Sequence, residues 1–115
     1  MTIIIPEIPH SNNKYIGREN RWEYQAEKKR WEMLIRAACS GKVKRTAERA
    51  VVQIRYTFPD RRRRDPDNYS GKMILDGLVR CGVIKDDSFG HIRLELSAGY
   101  AAGKPKTEII VNEVM

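Results

Sequence analysis

Apolar and polar residues alternate without a break from Val52 to Phe58, with Val52, Ile54, Tyr56 and Phe58 on one side and Gln53, Arg55 and Thr57 on the other. Successive side chains of a strand point to opposite faces, so this pattern predicts a half-buried strand, ended by Pro59 and Asp60. A second alternation sets Ile92, Leu94 and Leu96 against Arg93, Glu95 and Ser97, and a Gly-containing loop from Gly99 to Lys106 leads to a last apolar run, Ile109 to Val111. These two segments are expected to pair as a hairpin. Ile3, Ile4 and Ile5 form a short first strand, which Pro6 and Pro9 cut off because proline brings no N–H to a ladder. Tyr24, Trp31, Leu34, Ile35 and Ala38 recur at helical spacing, Asn20 and Glu23 resemble a capping box ahead of them, and Gly41 is the expected stop. A second helix is expected to begin between Pro66 and Ser70, to bury Ile74, Leu75, Leu78 and Val79 on one stripe, and to stop at Gly82. The order strand, helix, strand, helix, hairpin predicts an α+β fold. It is a single domain over residues 1–115, a mixed β-sheet with two main helices packed on it, without the repeated βαβ units of a doubly wound fold.

Composition narrows the function classes. A chain of 115 residues can build one ordinary core without staples, and its two cysteines, Cys39 and Cys81, form no CxxC pair and end apolar stretches, where free thiols pack as small hydrophobes. Met1 to Ile8 is interrupted by Pro6 and Glu7, so no secretory leader is expected, and a reducing cytoplasm is the expected compartment. No apolar run approaches the roughly 18 to 20 residues of a membrane-spanning helix, which argues against a membrane partner. The formal charge of +7 points instead to a polyanion such as nucleic acid.

Chemistry is concentrated between Arg61 and Asp87, where Arg61, Arg62, Arg63 and Arg64 precede Asp65 and Asp67 and the stretch closes on Asp86 and Asp87. Hard divalent cations take oxygen ligands, and Mg²⁺ accepts one or two carboxylates while keeping waters for a substrate phosphate. Residue types alone leave a plainer alternative open. Asp65 can cap a helix that has Pro66 in its first position, with Asp67 and Asn68 favouring its positive end, while Lys72 and Asp76 make an ordinary surface pair four residues apart. Four adjacent arginines favour phosphate contact over mere solvation; Lys28, Lys29 and Arg36 on the first helix are more simply a solvated face. Bringing Asp87 back to Asp65 is a taut fit. A helix from Pro66 to Arg80 would be about 22 Å long, and the residues from Arg80 to Asp87 reach at most about 25 Å. Either the chain runs back extended, or the helix starts late near Ser70, or a second subunit completes the site.

Asp65-Pro66-Asp67-Asn68, Lys72, Leu75-Asp76-Gly77-Leu78 and Asp86-Asp87, after an arginine-rich approach, resemble the RusA family of Holliday-junction resolvases, typically small phage or prophage endonucleases. Ser11-Asn12-Asn13-Lys14-Tyr15 is similar to that family's SNNxY opening, so the resemblance runs from Ile3 to the last strand and is strongest from Arg61 to Asp87. It implies a homodimeric, Mg²⁺-dependent nuclease, with Mn²⁺ as the substitute ion, that nicks two opposing strands of a four-way DNA junction in a bacterial host cytoplasm. Asp65, Asp67 and Asp87 would bind the metal and Lys72 would be the catalytic lysine. Arg61, Arg62, Arg63, Arg64 and Arg55 would hold the DNA backbone, with Lys14, Arg18 and Arg21 as weaker candidates. One departure stands out: Tyr69, Ser70 and Gly71 separate Asn68 from Lys72 where the family has two residues, and Gly71 can absorb the extra one as a bulge. The rival from another class is a non-enzymatic basic DNA-binding module, which explains the charge but not the carboxylates interrupting it. A nuclease of the PD-(D/E)xK type lacks its second half at Glu95-Leu96-Ser97, and a phosphoacceptor receiver would need another order of acids. His10 and His91 are expected to be loop or surface residues, Trp22 and Trp31 core or dimer-interface residues, and Tyr69 either a DNA contact or a cover for the helix start.

Overall fold

The structure, a computed structural model, describes residues 1–15 and 21–114; Asn20, the expected capping residue, and Arg18 lie outside the described residues. Four strands and two helices follow the expected order: β1 (Thr2–Ile5), α1 (Arg21–Cys39), β2 (Ala50–Phe58), α2 (Lys72–Arg80), β3 (Ile92–Tyr100) and β4 (Lys106–Glu113). The sheet is mixed, in the order β1-β4-β2-β3.

β3 and β4 do not form the expected hairpin. β3 pairs with β2 in parallel, Ala50 opposite Ile92 and Phe58 opposite Tyr100, while β4 pairs antiparallel with β2 on its other side and with β1 beyond. The loop between them crosses the end of β2, where Ala101 N–H donates to the Phe58 carbonyl (3.0 Å) and Gly103 N–H to the Pro59 carbonyl (3.2 Å). Alternation identifies strands but not neighbours, and residues 101–105 comfortably reach across two strand spacings of about 4.8 Å each.

Both helices face one side of the sheet. Val52, Ile54, Tyr56 and Phe58 are buried there, with Ile3, Ile5, Ile109 and Val111 from the neighbouring strands and Trp31, Ile35, Ile74 and Leu78 from the helices. The α1 stripe matches its periodicity, but its two tryptophans part company. Trp31 is fully buried and Trp22 is 85% exposed, so Trp22 is not a core residue. Nine residues at 3.6 per turn are two and a half turns, which puts the two rings on opposite sides of the helix. The buried Trp31 indole donates to Glu27 Oε1 at 3.0 Å, and Arg30 grips the same oxygen at 2.6 Å. The helices approach closely at Gly77, where a Cβ would lie 2.6 Å from Ile35 Cδ1.

Candidate active site

The chain leaves β2 at Pro59 and forms a loop tied together by its own charges. Arg64 lies over the Phe58 ring at 4.3 Å, donates to the Asp60 and Arg62 carbonyls at 2.8 and 3.1 Å, and pairs with the Asp60 carboxylate at 2.9 Å. Its side chain is only 15% exposed, so this guanidinium is spent inside the loop. Arg62 also grips Asp60, whose carboxyl is held down at about 2, first by that side-chain hydrogen bond and then by the Arg62 backbone N–H. Arg61 stacks on Tyr100 at 4.4 Å, and Arg63 meets Asp65 Oδ1 at 3.3 Å while remaining 89% exposed. Arg61, Arg62 and Arg63 thus present charge to solvent and Arg64 does not. Arg55 stands on the face of the sheet away from the helices, where its guanidinium fills the space a side chain at Gly99 would need.

Asp65 is extended (φ −104°, ψ 140°) and precedes a single 3-10 turn, Pro66–Asn68, without capping it through its side chain. The long helix expected from this point begins only at Lys72. Gly71 ahead of it has φ +82°, and a Cβ there would meet Ile54 Cδ1 at 2.6 Å, so both conformation and space demand glycine. The extra residue between Asn68 and Lys72 is therefore taken up before the helix rather than within it. Asn12, from the 3-10 turn Asn12–Tyr15, clasps this segment: its Nδ2 donates to the Asp67 carbonyl at 3.0 Å and lies 3.2 Å from Ser70 Oγ. The exposed Lys14 lies on that same short turn.

Lys72 is the first residue of α2 and its ammonium bonds Asp76 Oδ1 at 3.0 Å. The other Asp76 oxygen is buried without a hydrogen-bond partner, its charge met by Lys28 of α1 at 3.4 Å. The bond to Asp76 raises the Lys72 pKa above the usual lysine value, and the Asp87 carboxylate adds to the effect, so Asp87 comes back within electrostatic range of the helix start. That return needs no second subunit, because the late-starting α2 of nine residues is only about 13 Å long. Neighbouring Asp86 has a lowered pKa, held first by the Ser88 hydroxyl and then by the Asp87 N–H.

The sequence-predicted residues therefore lie in two linked groups. Asp65 and Asp67 flank the turn clasped by Asn12, and Lys72 and Asp87 gather with Asp76 at the start of α2. Among the described residues, no three His, Cys, Asp or Glu side chains stand close enough to hold a metal ion. Sequence reasoning undervalued Asp76 as a surface pair and did not foresee the Asn12 clasp. The signal for Asp76 lay in its setting, between Leu75 and Leu78 on the buried arc of the helix. No family profile matches the chain, and no curated protein is significantly similar to it.

Proposed function

We propose that the chain is a divalent-metal-dependent endodeoxyribonuclease of the RusA type, which resolves four-way DNA junctions by paired nicks and acts as a homodimer in the cytoplasm. The observation that carries this reading is convergence. Asn12, the Asp65-to-Asn68 turn, Lys72 and Asp87 come from separate stretches of the chain, yet contact one another or lie within electrostatic range around the start of α2. The donor set fits Mg²⁺ or Mn²⁺ in kind, since these ions take oxygen ligands and need only one or two protein carboxylates beside waters and phosphate. Asp65, Asp67 and Asp87 are the residues that would hold the ion. When bound, it would activate a water and offset charge on the phosphoryl oxygens.

The chain's own groups supply the rest. Arg61, Arg62 and Arg63 bind strand phosphates from the exposed loop. Lys72, kept protonated by Asp76, places a positive charge where negative charge grows in the transition state. A two-fold junction suits a symmetric dimer with two such sites.

The test is incubation with a labelled four-way junction and a matched duplex, with Mg²⁺ or with chelator. Paired, Mg²⁺-dependent nicks confined to the junction are expected. Binding without cutting in any divalent ion would overturn the enzyme reading in favour of a basic DNA-binding module.

A further inference from the structure

Beside the acidic turn, on the side facing β3, lies a pocket of about 250 Å³ whose walls include Tyr56, Phe58, Asp65, Tyr69, Leu96 and Ala98. Its aromatic wall is already assembled. Tyr69 stands edge-on to Phe58 and Tyr56, at 5.1 and 5.8 Å between ring centroids, and Tyr56 and Phe58 are 5.9 Å apart. Arg64 holds Phe58 from the other side. β3 is the last strand of the sheet, so its outer backbone groups are not used by a neighbouring strand. Asp65 belongs both to this wall and to the turn described above, and Arg61, Arg62 and Arg63 precede it in the same loop. The setting is a small aromatic recess beside a cationic loop, which suits a flat ring carried on a polyanionic strand.

We propose that this pocket is a nucleobase subsite, receiving one unpaired base of the DNA strand whose phosphate lies at Asp65. The proposal rests on the reading of function above for the position of that phosphate. Stacking on aromatic side chains binds any base, because every base has a π-face; contacts to the edges, here from Ser97 and the open β3 backbone, discriminate among them. A base at a branch point is already poorly stacked, so its extrusion costs less than from a continuous duplex. Cutting should therefore depend on which base occupies the position beside the scissile phosphate.

Two variants test this. Tyr69→Ala removes part of the wall. Ala98→Leu fills the pocket from an exposed position on β3 without deleting a core contact, and so keeps the test valid if the first variant fails to fold. Junctions carrying 5-iododeoxyuridine at successive positions around the branch point are irradiated in chelator and the cross-linked peptide is mapped. One position should cross-link to Tyr69, and Ala98→Leu should reduce that yield about tenfold or more, the scale of one lost stacking contact. Cross-links only elsewhere, or a yield unchanged in Ala98→Leu, would overturn the proposal. With Mg²⁺, wild-type cutting should vary about tenfold or more with that base, and Ala98→Leu should level the differences while junction binding changes less than about twofold. Conversion of a dimer to a monomer by Ala98→Leu would overturn it too, marking the recess as a contact between copies. Cross-linking to Tyr69 in a protein that cuts no junction would uphold the subsite and sink the nuclease reading alone.

Discussion

At the scale of single residues, carboxylates divide into those that hold the chain together and those left available. Asp60 is consumed by Arg62 and Arg64, Glu27 by Arg30 and Trp31, and Asp76 by Lys72 and Lys28. Asp65 meets only the exposed Arg63 among the printed contacts, and the Asp67 link to Asn12 runs through its backbone carbonyl. Asp65→Asn, Asp67→Asn and Asp87→Asn should therefore fold normally and abolish junction cutting by at least about a hundredfold, the scale of losing one electrostatic catalytic group. Binding in gel shifts should survive, because removing negative charge does not weaken attraction to DNA; loss of binding in all three would count against the metal-site assignment. Glu27→Ala should cost about 1 to 3 kcal/mol in urea unfolding, since it leaves the buried Trp31 N–H without an acceptor. Tyr56 gives a pH dependence. Burial pushes its phenol pKa up, so the neutral form belongs to the folded state. The unfolded chain ionises near an ordinary value of about 10, and stability contributed below that pH is lost as pH rises past it. Tyr56→Phe should unfold less steeply with pH above about 10 than wild type, measured by thermal melts.

Among the elements, α2 best shows what the sequence carried and what it left out. Its apolar stripe of Ile74, Leu75 and Leu78 was legible from spacing, because burial imposes the helical period on residue choice. Its start was not. Pro66 and Asp65 give every local sign of a helix opening, but only a 3-10 turn forms before Gly71 turns the chain. Local preferences cannot see Ile54 Cδ1, whose closeness excludes any side chain at position 71. Gly71→Ala should thus cost about 2 to 4 kcal/mol through backbone conformation and overpacking together, and should reduce cutting more than its effect on stability explains. A Gly71→Ala protein with unchanged melting would refute this account of the helix start. In the same way, alternation revealed β3 and β4 as strands while the long-range pairing that inserts β2 between them was invisible locally.

For the whole molecule, the charge of +7 is unevenly useful. Exposed Arg61, Arg62 and Arg63 lie with the candidate site, whereas Arg64 is tied into its loop and Arg55 faces the other side of the sheet. Replacing any one of the first three by alanine should lower the slope of log binding constant against log salt by about one, as expected for one lost phosphate contact. Arg64→Ala should instead lower the melting temperature and leave the slope nearly as it was. A larger slope change for Arg64 than for Arg62 would reverse that division. The general identity of a basic α+β domain with an acid-and-lysine site was legible because charge and period are properties of neighbouring residues. The separation of Asp65 and Asp67 from Asp87 was not, since it depends on how far α2 extends.

β1 is bonded to β4 alone, with Thr2 opposite Ile110 and Ile5 opposite Thr107. Closing a loop of about a hundred residues carries a large but slowly growing entropy cost, and long-range pairings of this kind slow folding. The strand that anchors the amino-terminal segment is also made long after the acidic turn and Lys72. Asn12, which follows β1 by only a short stretch, therefore gains its anchored position late. A growing chain would acquire its acids and its lysine first and the clasp that organises them last, so a partly made molecule holds the reactive groups without their final arrangement.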